Sequence, residues 1–262
     1  MAVHADLNLT LITGASEGIG RCFAEEFARQ GHDLVLVARS QEKLEAMAES
    51  LRNEHSVKVT VLPQDLTQPG AAEVLAAQLQ ERQLQVDILV NNAGLMYVQD
   101  FFTTEPEKLE QLLTLNINAV VRMTRQFLPQ MLSRDNGKII NVASIASFIP
   151  TPKFAIYGAS KAFVLSFTEA LVEEIKYTNV KAHCVCPGFT KTNMIQQGNG
   201  LEDNIPGFMK VAPESLVKDA YKSVMKGETI YIHKIHNKAL VQWSRLYPKW
   251  LVRGVSGFFS RF

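Results

Sequence analysis

The chain has 262 residues, of which 47% are hydrophobic and 20% are charged. This composition is typical of a globular protein and excludes a disordered or fibrous chain. A formal net charge of +1 argues against a nucleic-acid partner. That value conceals an asymmetry, because the first 228 residues carry −5 and the last 34 carry +6 without one acidic side chain.

The three cysteines Cys22, Cys184 and Cys186 are too few, and odd in number, for a disulfide framework, which indicates a reducing compartment. Cys184 and Cys186, beside His183, have the spacing of a metal or redox pair. No second ligand cluster accompanies them, so we expect no metal and interpret them as small side chains on a buried strand. Without a signal pattern or a long apolar run, the sequence favours a cytoplasmic protein with no spanning helix.

Short apolar runs rich in β-branched residues are typical of strands buried on both faces of a parallel sheet. They span residues 9–13, 34–38, 57–62, 86–90, 138–142, 180–185 and 229–233. Helical patterns separate them, at about 18–30, 41–54, 70–82, 105–133, 155–177 and 213–226. This alternation predicts a Rossmann-like α/β fold: a doubly wound sheet of about seven parallel strands with helices on both faces. No repeat or flexible linker interrupts the pattern, so we expect a single domain over residues 1–262.

The long fourth helix carries a signal for its N-terminus. Thr104 is followed three residues later by Glu107, which is the spacing of a capping box. Pro106 lies within the first turn, where its missing N–H has no structural cost. We therefore expect the Thr104 side chain to cap this helix.

Residues 190–212 form an irregular segment after the sixth predicted strand. Its glycines and proline alternate with the apolar residues Met194, Ile195, Phe208 and Met209. A long loop with apolar side chains at this position is typical of a lid or substrate-binding loop. An excursion that simply packs on the surface is the alternative interpretation.

Ligands of an open α/β sheet bind outside the carboxyl ends of its strands. The turn after the first predicted strand has the glycine spacing G-x-x-x-G-x-G, from Gly14 to Gly20. Glycines there permit a tight turn and the close approach of a pyrophosphate to backbone N–H groups at the following helix N-terminus. Glycine-rich turns also merely end strands, so this pattern alone is a weak signal for a nucleotide.

Arg39 lies 19 residues after Gly20, where an acidic residue would contact the ribose 2′-hydroxyl of NAD. An arginine at that position can instead pair with a 2′-phosphate, which favours NADP(H) over NAD(H). Glu17, inside the glycine turn, departs from this pattern because a basic residue there would help to bind the phosphate. A solvated strand end is the alternative interpretation of Arg39.

Tyr157 and Lys161 are four residues apart on a predicted helix and share one face. A tyrosine with a pKa of about 10 is a poor acid–base catalyst near neutral pH, and an adjacent ammonium favours its phenolate. Tyr-x-x-x-Lys alone is usually an ordinary helix face. Ser144 stands 13 residues before Tyr157 at a predicted strand end, where its hydroxyl can hydrogen-bond a substrate carbonyl.

Together, these motifs resemble the short-chain dehydrogenase/reductase family over roughly residues 8–233. Residues 13–20 resemble its cofactor motif, residues 91–94 its strand-4 motif, and Ser144, Tyr157 and Lys161 its catalytic triad in order and spacing. Asn116 matches the family's catalytic asparagine, with Asn118 as a nearby competitor. The cofactor-binding positions implied by the resemblance and by the turns are Gly14, Ser16, Glu17, Gly18, Ile19, Gly20, Arg39, Ser40, Asp65, Leu66, Asn92, Ala93, Gly94, Tyr157, Lys161, Pro187, Gly188, Thr190 and Thr192.

The resemblance implies hydride transfer between the nicotinamide C4 of NADP(H) and a carbonyl or alcohol carbon. Tyr157 would protonate the carbonyl oxygen, and Ser144 would polarise and orient it. Lys161 would lower the pKa of Tyr157 and hold the nicotinamide ribose, while Asn116 would hold a water that relays protons. A non-catalytic NADP(H)-binding regulator on the same fold is the alternative, against which the intact catalytic set argues.

A pocket lined by apolar residues predicts a hydrophobic ketone, aldehyde or alcohol, such as a steroid, acyl or terpenoid compound. Its expected wall, beside Ser144 and Tyr157, consists of Ile145, Phe148, Ile149, Phe154, Met194, Ile195, Phe208 and Met209. Family resemblance also implies a homodimer or homotetramer.

Residues 234–262 form a basic, amphipathic C-terminal extension. Leu240, Trp243, Tyr247 and Trp250 recur at helical spacing, and Pro248 is expected to start a second short helix. We favour an ordinary helix packed on the domain. A lid over the substrate site, a contact with a partner subunit, or peripheral contact with an anionic membrane are the alternatives.

Overall fold

The computed structural model describes residues 7–192 and 207–259, except for the side chains of Phe208, Phe258 and Phe259. Its centre is a parallel sheet of seven strands in the order β3-β2-β1-β4-β5-β6-β7. The strands are β1 Leu9–Thr13, β2 Asp33–Ala38, β3 Val59–Pro63, β4 Ile88–Asn91, β5 Lys138–Val142, β6 Lys181–Cys186 and β7 Ile230–Ile232. The predicted doubly wound α/β fold is confirmed, and the strand order reverses between β1 and β4.

Helices cover both faces of the sheet. They are α1 Gly18–Arg29, α2 Gln41–His55, α3 Ala71–Glu81, α4 Pro106–Leu113, α5 Ala119–Ser133, α6 Ala155–Glu174, α7 Pro213–Met225, α8 Ile235–Leu246 and α9 Lys249–Phe259. One hydrophobic core lies beneath α1, α2 and α7 and includes Phe23 and Leu44. The other lies beneath α3, α5 and α6 and includes Leu75, Phe127 and Leu171.

The start of the fourth predicted helix differs from the expected capping box. The helix begins at Pro106 with Glu105 as its N-cap residue, and no side chain caps it. The Thr104 hydroxyl instead donates to the carbonyl of Asp100, 3.0 Å away, in the preceding 3₁₀ turn. The predicted capping box is therefore wrong, because this local bond competes for the threonine hydroxyl.

The same predicted helix is interrupted by one turn of π-helix, Thr114–Asn118, between α4 and α5. The backbone N–H of Ala119 reaches back to the carbonyl of Thr114, five residues earlier. Such single π turns are common at functional sites. This turn contains Asn116, one of the predicted catalytic residues.

The C-terminal extension forms α8 and α9, separated by Tyr247 and Pro248 as the sequence predicts. The inner face of α8 is buried through Asn237 and Val241, and α9 is anchored by Val252, which is 3% exposed. The favoured interpretation of this segment was an ordinary helix packed on the domain. The described residues of the extension are helical and pack on the rest of the chain in this way.

Among the helices that the structure describes, α6 alone is long and apolar enough to cross a membrane by length and composition. Its buried face, which includes Lys161, Val164 and Thr168, packs against β5 and β6. The length and composition of α6 therefore match its place as a core helix of the α/β sheet.

A buried polar network ties the middle of the sheet to two of its helices. The Asn91 side chain on β4 donates to the side-chain Oδ1 of Asn141 on β5 (2.9 Å) and to the Thr124 hydroxyl on α5 (3.2 Å). Asn141 in turn donates to the Thr168 hydroxyl on α6, at 2.9 Å. Buried polar groups are tolerated when they are paired with one another, as these amides and hydroxyls are.

We predict that Asn141→Ala lowers the free energy of unfolding by about 2–3 kcal/mol, because it removes one of the two acceptors of the buried Asn91 amide and the donor to the buried Thr168 hydroxyl. Urea denaturation followed by circular dichroism measures this change. Asn53→Ala, at an exposed position of α2, is the control and should alter stability by less than about 0.5 kcal/mol. Equal effects of the two substitutions would contradict the structural role of the network.

Candidate active site

A cavity of about 560 Å³ runs along the carboxyl ends of the strands, across the point where the strand order reverses. It brings together nearly all of the predicted cofactor-binding residues. Those that line it are Gly14, Ser16, Glu17, Gly18, Ile19, Arg39, Ser40, Asp65, Leu66, Asn92, Ala93, Gly94, Tyr157, Lys161, Pro187, Gly188, Thr190 and Thr192. Gly20 does not line the cavity, because it packs directly against the backbone of Gly14.

Gly14 and Gly20 allow the turn after β1 to approach the turn after β4. Gly14 has a φ of +63°, and a Cβ at this position would lie 2.9 Å from the Cα of Ala93. A Cβ on Gly20 would lie 2.2 Å from the carbonyl oxygen of Gly14. The Asn92 side chain locks the arrangement by donating to the Thr13 carbonyl, 2.9 Å away. Gly20 therefore supports the shape of the turn from behind.

The helix that follows begins at Gly18, with Glu17 as its N-cap residue and no side-chain hydrogen bond at the cap. The first backbone N–H groups of a helix have no partner within it, so this N-terminus is suited to an anion. Because Gly14 and Gly18 line the cavity and carry no side chain, an anion can approach the backbone of this turn closely, so the turn fits the pyrophosphate of a dinucleotide.

Two basic side chains line the end of the cavity beyond this turn. Arg39 follows β2, and Lys43 lies one turn further along, in the first turn of α2. The Lys43 ammonium is 3.6 Å from the Glu17 carboxylate, so the acid that departed from the expected pattern faces a cation. Lys43 was not predicted from the sequence, although its position four residues after Arg39 was a usable signal.

Asp65 closes the same end of the cavity. The backbone N–H and the hydroxyl of Thr67 both donate to its Oδ1, at 2.9 and 2.7 Å. Partial burial by itself raises the pKa of Asp65, but these hydrogen bonds and the Arg39 charge outweigh burial and lower it. The carboxylate is thus held ionised and in a fixed orientation as a hydrogen-bond acceptor.

At the other end of the cavity, Tyr157 and Ser144 face each other. Ser144 follows β5 and is 9% exposed, and its side chain lies near the Tyr157 hydroxyl. Burial raises the pKa of Tyr157 above its usual value, and the nearby Ser144 side chain offsets only part of this effect. The phenol is therefore protonated at neutral pH and can donate its proton.

Lys161 lies one helical turn beyond Tyr157 and is 5% exposed. Its Nζ donates to the Val142 carbonyl at 2.8 Å and lies 5.8 Å from the centre of the Tyr157 ring. Burial lowers the pKa of Lys161 to about 8, despite the opposing effect of the Cys184 and Cys186 thiols. The pKa of Tyr157 is raised overall because burial of the phenol dominates, so the lowering contribution expected from Lys161 stays a prediction.

Asn116 is fully buried and does not line the cavity. Its Oδ1 accepts from the Leu95 N–H at 2.8 Å, and its Nδ2 donates to the Leu95 carbonyl and the Ser160 hydroxyl. A Cβ on Gly94 would lie 3.2 Å from this Oδ1 and 3.5 Å from the Lys161 ammonium. The Asn116 side chain thus fixes the loop after β4 beside Lys161, and its relay role stays a prediction.

The turn after β6 meets the C-terminal extension. A Cβ on Gly188 would lie 2.3 Å from the Asn237 amide nitrogen on α8, and that amide donates to the His233 carbonyl at 2.7 Å. The Thr190 hydroxyl donates back to the Gly188 carbonyl, which tightens the turn. Leu240, one turn beyond Asn237, lines the cavity itself.

The expected substrate residues divide into three groups. Ile145, Ile149 and Phe154 line the cavity. Phe148 and Met209 do not line it, and the Arg245 guanidinium lies over the Phe148 ring, 5.2 Å from the ring centre. Met194, Ile195 and the Phe208 side chain lie outside the described residues. Apolar lining residues that were not predicted from the sequence include Met96, Leu115, Phe189 and Leu240.

Comparison with known proteins places this geometry in a family. A family model described as short chain dehydrogenase matches residues 8–202. The very-long-chain 3-oxoacyl-CoA reductase of Bos taurus is 32% identical over 245 residues, or 92% of this chain and 76% of the relative. The 17-beta-hydroxysteroid dehydrogenase type 3 of Homo sapiens is 33% identical over 253 residues, or 96% of this chain and 78% of the relative.

A solved structure supports the same assignment. A short-chain dehydrogenase from Sphingobium yanoikuyae in complex with NADPH shares 37% identity with this chain and superimposes with a TM-score of 0.83. The match covers 92% of each chain. The family model spans well over half of the sequence and agrees with the motifs, the strand order and the cavity. The chain therefore belongs to the short-chain dehydrogenase/reductase family.

Proposed function

We propose that the protein is an NADP(H)-dependent oxidoreductase that interconverts a hydrophobic ketone or aldehyde and its alcohol. The observation that carries this proposal is the single cavity that contains both the glycine turn and the side chains of Ser144, Tyr157 and Lys161. A binding-only regulator would have no use for a protonated phenol beside a serine side chain at one end of its nucleotide cavity.

The cofactor assignment is supported by the electrostatics of the adenosine end. The uncapped N-terminus of α1 suits the pyrophosphate, and Arg39 and Lys43 provide two cations for a 2′-phosphate. NADPH is also bound by the related Sphingobium yanoikuyae enzyme. When bound, the cofactor supplies or accepts a hydride at the nicotinamide C4, and the protein supplies position and proton transfer.

The catalytic side chains act on the carbonyl oxygen. In the reducing direction, the Tyr157 hydroxyl donates its proton to this oxygen while the Ser144 hydroxyl orients it. The Lys161 ammonium, held against the Val142 carbonyl, places a positive charge one helical turn from the phenol and favours the phenolate that proton donation leaves. In the oxidising direction the phenolate takes the proton back.

The substrate class is inferred from the cavity wall and from the relatives. Ile145, Ile149, Phe154 and Leu240 give the cavity that contains Ser144 and Tyr157 an apolar wall. The names of the relatives specify a 3-oxoacyl-CoA and a 17-beta-hydroxysteroid, both with large apolar parts. We therefore propose a bulky apolar carbonyl compound rather than a sugar or another polar substrate.

Tyr157→Phe should abolish reduction, with kcat lowered by at least about 1000-fold, because no other group donates the proton. NADPH binding should stay within about threefold of the unmodified protein, since the phenyl ring remains in place. Steady-state kinetics and fluorescence titration measure the two effects. Tyr177→Phe, at a position that is 90% exposed, is the matched control. Unchanged reductase activity in Tyr157→Phe would refute the assignment of the proton donor.

Arg39→Asp should weaken NADPH binding by about 100-fold and NADH binding far less, because it places a carboxylate where the 2′-phosphate would lie. Isothermal titration with each cofactor measures the ratio of affinities. Arg125→Asp makes the same change of charge at an exposed position on α5 and should leave the ratio unchanged. An equal loss for both cofactors in Arg39→Asp would contradict recognition of the phosphate.

The rate of ketone reduction should fall as the pH rises above about 8, the pKa of the buried Lys161. Below this pH the side chain is an ammonium that favours the phenolate, and above it the charge is lost. With a single ionisation, kcat/KM should decrease about tenfold per pH unit on this limb. Circular dichroism across the same range controls for unfolding. A flat profile up to pH 10 with the fold intact would contradict the role of the charge.

A further inference from the structure

The outer face of the C-terminal extension exposes large apolar side chains. Ile235 and Leu246 on α8 are 80% and 73% exposed, and Trp250 on α9 is 67% exposed. Ile235 and Leu246 are eleven residues apart, which is close to three helical turns, so they lie on one side of the helix. The opposite side carries Asn237 and Val241, which are buried against the rest of the chain. We call this exposed face of α8 and α9 the C-terminal surface.

Basic residues accompany these apolar side chains. Lys238, Arg245, Lys249 and Arg253 are exposed on the same two helices. No acidic residue follows Glu228 in the sequence, so neither helix carries a carboxylate side chain that would neutralise them. The C-terminal surface therefore combines apolar side chains, including a tryptophan, with positive charge, which is the composition of helices that lie in the plane of a membrane interface.

We propose that the C-terminal surface docks onto the anionic surface of a lipid bilayer. Tryptophan and leucine side chains insert at the level of the headgroups, and lysine and arginine side chains pair with lipid phosphates. The first 228 residues carry −5 and are repelled by such a surface. The opposite charges of the two parts thus orient the molecule with α8 and α9 towards the lipid.

A second copy of the chain is the competing occupant of this surface, and its charge disfavours it. In a two-fold symmetric interface the same patch of each subunit faces the other. Lys238, Lys249 and Arg253 would then meet their own copies without an acidic partner on either helix. An anionic bilayer instead offers the complementary charge.

The two tryptophans of the chain, Trp243 and Trp250, both belong to this extension, so intrinsic fluorescence reports on it directly. The full chain with Trp243→Phe, which leaves Trp250 as the reporter, is titrated with vesicles. Vesicles of phosphatidylcholine plus phosphatidylglycerol should shift the emission to the blue and co-sediment with the protein. Pure phosphatidylcholine vesicles should do neither, and added salt should weaken the binding.

Charge reversal tests the contribution of the basic residues. Lys238→Glu with Lys249→Glu should lower the affinity for anionic vesicles by at least about tenfold, because both charges face the lipid. Lys58→Glu with Lys226→Glu makes the same change at exposed positions elsewhere and should reduce the affinity by less than about threefold. Trp250→Ala should weaken binding to anionic vesicles without altering the circular dichroism spectrum.

Three results would overturn the proposal. The first is no binding to anionic vesicles by the unmodified protein, and the second is equal binding to neutral and anionic vesicles. The third is a Trp250→Ala variant that keeps vesicle binding but dissociates a dimer or tetramer in light-scattering measurements, which would assign the surface to contacts between copies.

Discussion

The close approach of two turns at the centre of the sheet is the constraint on which the site depends. The turn after β1 passes so near to the turn after β4 that Gly14 and Gly20 have no space for a Cβ. Asn92 joins the two turns by hydrogen bonds to backbone carbonyls of the first. The two turns meet at the point where the strand order reverses, and the crevice lies there. The N-terminus of α1 follows the first turn directly, and the loop after β4 continues from the second turn to Leu95, whose N–H donates to Asn116.

A second constraint is the burial of a lysine in the wall of this crevice. Lys161 is inserted between the sheet and the loop after β4, where Gly94 leaves just enough room for its ammonium. Burying a cation is unfavourable, and the lowered pKa of Lys161 expresses that cost. A purely structural side chain at this position would be apolar. The protein thus maintains a destabilising charge beside the Tyr157 phenol, which is what a function in proton transfer requires.

Most of the strands, the helices and the cavity residues at the strand ends could be predicted from the sequence, because each depends on patterns among residues that are close together in the chain. Apolar runs and glycine spacing predicted the strand and helix bounds within a few residues and the residues at the strand ends. Contacts between distant segments could not be predicted in this way. Neither the Asn237 contact with Gly188 nor the Arg245 contact with the Phe148 ring has a local signature in the sequence. The capping box failed for a different reason, since a nearby carbonyl competed for the Thr104 hydroxyl.

The C-terminal extension combines two roles in one helix, because the inner side of α8 completes the cavity with Leu240 while its outer side is apolar and basic.

The central claim, however, concerns hydride transfer in that cavity. It is tested most directly with NADPH carrying deuterium at C4 and a set of apolar ketones that includes a 3-oxoacyl thioester and a 17-ketosteroid. The account predicts that at least one alcohol product carries a single deuterium at its carbinol carbon. Failure of every ketone to react, or an alcohol without deuterium from either face of the labelled cofactor, would contradict it.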